Sequence, residues 1–222
     1  MVKLFNRKQM TELIKMIAVI DYGAGNIRSV YKALKHIGCD CVITRDKNEI
    51  LNADGAVLPG VGSFGDTMDT MKSYGIKDTV IEYINSEKPF LGICLGLQLL
   101  FPESEESPNV KGLSVFDGTI TKIPSGEGLK IPHIGWNSLK INKKSRLFKG
   151  VEQNAYVYFV HSYFLNASDR SIVSAQTEYG VTIDAAVEKG NVFATQFHPE
   201  KSGETGLKIL RNFADIANGR KE

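Results

Sequence analysis

Gly92, Ile93, Cys94, Leu95 and Gly96 stand where an apolar run hands over to a helical pattern, the arrangement of a nucleophile elbow. A strand-to-helix turn this tight leaves no room for side chains two positions to either side of its apex, hence the glycines, and it lifts the apex side chain above the sheet edge. Here the apex is a thiol. The elbow also sets it at a helix N-terminus, where free backbone N–H groups and the macrodipole favour a thiolate and can bind a developing oxyanion; the Leu95 N–H is the first donor. Three cysteines and 21 glycines in 222 residues would give a cysteine so flanked only about 0.03 times by chance.

A thiol nucleophile needs a base, and the base needs an orienting group. His198, Pro199 and Glu200 supply both. Residues two apart in an extended segment face the same side, and proline fixes the backbone between them, so Glu200 can hold the imidazole of His198 toward a partner. Taken alone, Cys94 could be an inert small hydrophobe, and His198 with Glu200 an accident of the surface. Joined in one α/β chain, they point to a Cys-His-Glu triad. His36 sits among lysines and reads as solvated, while His133 and His161 read equally as packed or functional. With no H-x-x-x-H pair and no Cys/His cluster, no metal site is expected.

Two glycine-rich stretches resemble nucleotide loops and fail on their own patterns. Gly23, Ala24 and Gly25 begin a dinucleotide fingerprint whose third glycine position is Arg28, and the stretch 58–63 lacks the Gly-Lys-Ser/Thr ending of a phosphate loop. A glycine loop after a parallel strand can instead supply a backbone N–H to a site at the carboxyl edge of the sheet, which makes the loop 58–63 the candidate second oxyanion donor. Gly60 and Gly62 would let the Val61 peptide rotate, and Gly60→Pro is then expected to leave the fold intact.

These side chains need a scaffold that brings both halves of the chain to one edge. Short apolar runs at 17–21, 41–44, 55–58 and 89–93 alternate with helical stretches at 26–37 and 64–85 and from about 95, a β-α-β rhythm. Apolar strands flanked by helices imply a sheet covered on both faces. After about 111 the texture changes to strands in succession, at 157–162, 172–176, 183–187 and 192–197, with Gly190 and Asn191 at a hairpin. A helix with apolar residues at helical spacing follows over 203–218. The reading is a charged leader, 1–15, and one α/β domain, 16–222.

Composition narrows the function classes. Hydrophobic residues at 42% and charged residues at 23% are those of a soluble globular chain, neither disordered nor fibrous. The net charge is +2, and no basic run exceeds the pair Lys143 and Lys144, which argues against nucleic acid or membrane as the main partner. Cys39, Cys41 and Cys94 form no C-x-x-C pair, so a reducing, cytoplasmic setting is expected. No run approaches a membrane span, and the leader lacks the apolar core of a signal peptide.

Together the elbow cysteine and the later His-Pro-Glu resemble the class I glutamine amidotransferases, and most closely their branch of glutaminase subunits of imidazole glycerol phosphate synthase. The narrower resemblance rests on 21–26 (Asp-Tyr-Gly-Ala-Gly-Asn), 59–65 (Pro-Gly-Val-Gly-Ser-Phe-Gly), 132–137 (Pro-His-Ile-Gly-Trp-Asn) and 158–163 (Tyr-Phe-Val-His-Ser-Tyr). It implies a single-domain flavodoxin-like fold with a mainly parallel central sheet, helices on both faces and an antiparallel, β-rich C-terminal half. It further implies glutamine hydrolysis by Cys94, His198 and Glu200, an oxyanion hole from Leu95, Gly60 and Val61, and glutamine held by Gly62 and Gln98. Trp136, Asn137, Tyr158 and Lys201 would face a (β/α)8 barrel cyclase subunit that receives ammonia in a heterodimer serving histidine biosynthesis. No cofactor is implied. Pro102 departs from the pattern and would shorten the helix after the elbow. Composition alone would bury Trp136 and Tyr158. A related amidotransferase subunit with another acceptor, a stand-alone thiol hydrolase, and a flavodoxin-like binding module with an inert Cys94 stay open at this point.

Overall fold

The computed structural model describes residues 15–23, 25–126, 128–142 and 144–219. Residues 1–14 of the charged leader, Ala24 of the first glycine loop and Lys143 of the basic pair lie outside the described residues. The first half alternates strand and helix: β1 (Met16–Ile20), α1 (Ile27–His36), β2 (Asp40–Thr44), α2 (Lys47–Asn52), β3 (Gly55–Gly60), α3 (Phe64–Ser73), α4 (Ile76–Asn85), β4 (Phe90–Cys94) and the single turn α5 (Leu95–Gln98). Strands then dominate: β5 (Glu103–Ser104), β6 (Gly118–Lys122), β7 (His133–Ser138), β8 (Lys140–Ile141), β9 (Tyr156–His161), β10 (Tyr163–Ala167), β11 (Val173–Glu178), β12 (Thr182–Lys189) and β13 (Val192–Thr195), followed by α6 (Gly203–Ala217).

Local chemistry sets several of these bounds. The side chains of Asp46 and Ser63 accept from the N–H groups of Glu49 and Asp66, capping α2 and α3. Gly75, at φ +67°, splits the expected helical stretch 64–85 in two. Gly190 and Asn191 form the two-residue hairpin turn between β12 and β13, where Lys189 pairs with Val192.

The main sheet runs β2-β1-β3-β4-β13-β12-β11-β8. Strands β2, β1, β3, β4 and β13 are parallel, and β12, β11 and β8 extend the sheet antiparallel. This is the mainly parallel sheet with an antiparallel extension that the sequence predicts. Alternate residues of each strand feed two cores. Ile17, Val19, Leu91, Ile93 and Phe193 join Val30 and Leu34 of α1 and Leu210 and Phe213 of α6 on one face. Ala18, Ile20, Phe90 and Ala194 join Met68 of α3 and Val80 and Tyr83 of α4 on the other. Among the described residues no helix is long and apolar enough to cross a membrane.

Two smaller sheets flank the main one, β10-β6-β5 and the antiparallel ribbon β7-β9. Among the described residues, the ribbon carries three of the four large hydrophobic side chains that stay exposed, Ile134 at 59%, Trp136 at 55% and Tyr156 at 59%. An apolar face this concentrated marks a contact surface more often than chance. Sequence periodicity does not reveal β6, β7 and β10, and the expected strand 192–197 leaves the ladder at Thr195.

Helix α6 holds the strand that leads into His198. Phe213 is fully buried and meets Phe193 of β13 edge to face, with ring centroids 6.2 Å apart. Phe213→Ala is expected to cost about 3–5 kcal/mol in urea unfolding; a loss under about 1 kcal/mol would show that α6 does not anchor β13.

Candidate active site

The carboxyl ends of β3, β4 and β13 lie side by side. Gly60 is in register with Cys94, and Pro59 and Thr195 flank Ile93 from either side. Cys94 adopts φ 57° and ψ −107°, a conformation costly for a residue with a side chain and found where surrounding structure enforces it. The enforcement comes from the glycines. A Cβ on Gly96 would sit 2.0 Å from the Leu58 carbonyl oxygen, and one on Gly92 would sit 2.5 Å from the Gly96 oxygen. Backbone thus touches backbone on both sides of the elbow, and Leu95 opens α5 with its N–H free of any intrahelical bond. The helix is one turn long, in keeping with Pro102 just beyond it.

His198 follows β13 by three residues. Its Nδ1 lies 2.7 Å from Glu200 Oε1, and both side chains are fully buried. The Tyr158 carbonyl accepts the His198 N–H at 3.0 Å, and Ser202 Oγ donates to the His198 carbonyl at 2.6 Å. With Nδ1 taken by Glu200, Nε2 turns to the thiol side. Burial works to lower the pKa of His198, but its interactions with the nearby Cys94 sulfur and the Glu200 carboxylate outweigh it and raise the pKa to about 9. The Nε2 atom nevertheless has no partner in hydrogen-bond geometry. Cys94 is therefore near His198 without forming an aligned bond, as is common before substrate closes such a contact.

Unsatisfied polar atoms concentrate here. Among the described residues, the buried side-chain atoms without a hydrogen-bond partner are Tyr22 Oη, Asn26 Oδ1, His198 Nε2, Glu200 Oε2 and, far from the thiol, Ser174 Oγ. Orphaned groups cost free energy and are kept where a reaction uses them. A cleft of about 310 Å³ opens above Cys94, lined by Val61, Gly62, Leu95, Gln98, His161 and Tyr163 among others. Gln98 Nε2 donates to the Tyr163 carbonyl at 3.0 Å and to Gln196 Oε1 at 3.1 Å, which leaves its own carbonyl to accept. A larger hollow of about 710 Å³, against Arg146 and Glu188 at the opposite end of the sheet, contains neither a thiol nor an imidazole. Cys41 is buried and its thiol is pushed up to about 11, chiefly by burial.

The two glycines of the loop after β3 differ in their surroundings. Gly62 holds φ +107° with open space around it, whereas a Cβ on Gly60 would meet Tyr22 Oη at 2.7 Å, Leu95 Cβ at 2.8 Å and the Gly96 nitrogen at 2.9 Å. The expectation that Gly60→Pro spares the fold is therefore corrected: Gly60 is a close-approach glycine that seats β3 against the elbow.

The sequence-predicted contact residues separate by strand face. Trp136 and Tyr158 pair across the ribbon with centroids 6.1 Å apart, and Lys201 Nζ lies 6.0 Å over the Tyr158 ring. Asn137 turns under the ribbon and donates to the Glu178 carbonyl at 2.9 Å. Sequence reasoning missed Asn26, whose Nδ2 donates to Glu200 Oε1 at 3.1 Å, and Gln196, whose Nε2 points at Cys94 Sγ from 3.7 Å. Asn26 ends the glycine loop after β1, so its place at the carboxyl edge of a parallel strand was the available signal. Gln196 stands two before His198, in the bend that leaves β13 after Thr195. Gly96→Ala should lower stability by about 1–3 kcal/mol or more in thermal melts; a melting temperature equal to the parent would contradict the close approach to Leu58.

The class-I glutamine amidotransferase family profile matches residues 18–217. The imidazole glycerol phosphate synthase subunit HisH of Caldanaerobacter subterraneus subsp. tengcongensis is 51% identical over 201 residues, 90% of this chain and 98% of that one. The HisH subunit of Methanothermobacter thermautotrophicus is likewise 51% identical over the same shares. Among solved structures, a glutamine amidotransferase superposes with a TM-score of 0.72 at 21% identity over 90% of this chain and 98% of the other. A putative GMP synthase protein of Thermoplasma acidophilum gives 0.68 at 23% over 93% and 95%. The elbow, the buried His198–Glu200 pair and these matches along nearly the whole chain converge: the chain belongs to the class-I glutamine amidotransferases, in the branch that holds the HisH subunits of imidazole glycerol phosphate synthase.

Proposed function

We infer that the chain is the glutaminase subunit of an imidazole glycerol phosphate synthase, hydrolysing glutamine at Cys94 and passing ammonia to a (β/α)8 barrel cyclase subunit in histidine biosynthesis. The observation that carries the reading is the thiol at the elbow beside a buried imidazole–carboxylate pair, Nδ1 to Oε1 at 2.7 Å, beneath a cleft of about 310 Å³. Relatives about half identical over nine-tenths of the chain carry the synthase-subunit name and support the acceptor system. A free thiol nucleophile fits a reducing cytoplasm.

The chemistry follows from the geometry. The pKa of His198, raised to about 9, makes the imidazole a strong acceptor for the thiol proton, and Cys94 attacks once that proton has moved to His198. The sulfur adds to the side-chain amide carbon of glutamine. Oxyanion charge falls on the Leu95 N–H and on the Val61 N–H once the Gly60–Val61 peptide presents it. His198 gives its proton to the departing nitrogen, ammonia leaves, and a glutamyl thioester remains on Cys94. Water then attacks that thioester while His198 takes the water proton, and glutamate is released. Glu200 keeps the imidazole in register through both steps, and Gln98 offers its carbonyl to a substrate N–H.

The apolar ribbon face, Ile134, Trp136 and Tyr156 with Lys201 beside Tyr158, is the surface for the barrel subunit. Aromatic side chains there exclude water, which suits a path for neutral ammonia. Strand β9 is tied to the triad through the Tyr158 carbonyl, so docking bears directly on His198.

Glutamate release by the purified chain, alone and with a barrel synthase subunit carrying its phosphoribosyl substrate, tests the reading. Low release alone, strong stimulation by the loaded partner and loss in Cys94→Ala are expected. High release without a partner would instead mark an independent hydrolase, and none with it another acceptor. The pH profile follows from the raised pKa: the imidazolium needed to protonate leaving ammonia is intact below about 9 and lost above it, so kcat should fall on an alkaline limb near pH 9. A limb near the ordinary imidazole value of 6.5 would contradict the ion pair.

A further inference from the structure

A single hydrogen-bonded line runs from beneath the exposed ribbon to the nucleophile. Asn137 Nδ2 lies 3.4 Å from His133 Nε2, His133 Nδ1 lies 3.1 Å from His161 Nε2, and His161 Nδ1 lies 2.9 Å from the Tyr163 carbonyl oxygen. The same carbonyl accepts Gln98 Nε2, which also bonds Gln196 Oε1, and Gln196 Nε2 ends the line at Cys94 Sγ, 3.7 Å away.

One main-chain oxygen sets the polarity of both arms. A carbonyl only accepts, so His161 Nδ1 must carry its proton, leaving Nε2 to accept from His133 Nδ1–H and His133 Nε2 to accept from Asn137. On the other arm the Gln98 atom facing that carbonyl must be its amide nitrogen. Its second bond is then donated to the Gln196 oxygen, so the far end of Gln196 is an N–H group aimed at the sulfur. Both imidazoles must be neutral for this to hold. Burial supplies that, lowering His133 to about 4 and His161 to about 3. His133 is further clamped between Tyr179 and Phe159, stacked at centroid distances of 3.8 and 4.7 Å.

We propose that Gln196 is a positioning donor to the Cys94 thiolate, and that His133 and His161 act through the Tyr163 carbonyl and Gln98 to hold it there. The proposal rests on Cys94 being the nucleophile of the glutaminase reading, and it goes beyond that reading by assigning the groups behind the thiolate. A hydrogen bond to a charged sulfur stabilises thiolate over thiol, so the line acts on the fraction of Cys94 ready to attack at neutral pH. The titratable groups facing the sulfur are His198, with Glu200 behind it, and the Tyr22 phenol. The variants below leave all three in place.

The test is the alkylation rate of Cys94 by iodoacetamide in the full chain, followed on its peptide by mass spectrometry across a pH series. Gln196→Glu keeps the acceptor for Gln98 but offers the sulfur a carboxylate; Gln196→Met removes the donor at similar volume, a check should the charged variant fail to fold. His133→Phe preserves the aromatic stack and cuts the line. We expect both Gln196 variants to slow Cys94 alkylation at neutral pH roughly tenfold and to move its pH midpoint upward. His133→Phe should slow it about two- to threefold alone and not at all on top of Gln196→Met, because members of one network are not additive. A His133→Phe rate equal to the parent, or an equal slowing in both backgrounds, would overturn the proposal while Cys94 reactivity kept the glutaminase reading alive. A Cys94 in the parent no more reactive than Cys39 and Cys41 would remove that reading, and the proposal with it.

Discussion

The adjacency of β4 and β13 is the constraint on which the site depends. These two parallel strands come from opposite halves of the chain, and Thr195 pairs with Ile93 one residue before the thiol. A parallel sheet puts the carboxyl ends of its strands along one edge, so the pairing alone delivers an elbow and a His-Pro-Glu segment to the same place. Everything else refines that meeting. The Gly60–Cys94 register sets the glycine loop after β3, the proposed oxyanion loop, on the other flank, and α6 packs Phe213 against β13.

The strain at Cys94 and the orphaned atoms around it share one logic. A thiol at φ 57° is held up by backbone contacts at Gly92 and Gly96. Among the described residues, four buried polar atoms around the site have no hydrogen-bond partner. A structure optimised for stability alone would relax the turn and pair those atoms. Their persistence at one sheet edge, under a cleft, is the physical signature of a site that completes its hydrogen bonds only with substrate.

Much of this was legible in the sequence, for identifiable reasons. The elbow carries its own steric explanation in two glycines. His198 and Glu200 do pair, but for a different reason from the one expected: residues 199–201 form a 3-10 turn with His198 at its N-cap, and the two side chains meet across that turn instead of along extended chain. Strand β9 was expected, but its partner β7 was hidden because its pattern is inverted. In β7 the apolar Ile134 and Trp136 face outward while His133 and Asn137 face in, so alternation reads as noise unless a covering partner is supposed. Asn26 meets Glu200 across 174 positions, and the role of Gln196 depends on a carbonyl 33 residues away in the chain acting through Gln98, relations that spacing along the chain does not encode. Gly60 shows the converse error. Its residue type stands out in the chain, but the need it serves is contact with Tyr22 and Leu95, which only packing reveals.

The central claim is that Cys94 acts covalently, with His198 as the group that takes up and returns its proton. Rapid acid quenching of the complex during turnover of glutamine, followed by mass spectrometry of the cysteine-containing peptides, tests it most directly. A glutamyl adduct on the Cys94 peptide, with Cys39 and Cys41 unmodified, is the predicted result. Turnover with no adduct on Cys94, or with the adduct on another cysteine, would contradict the account.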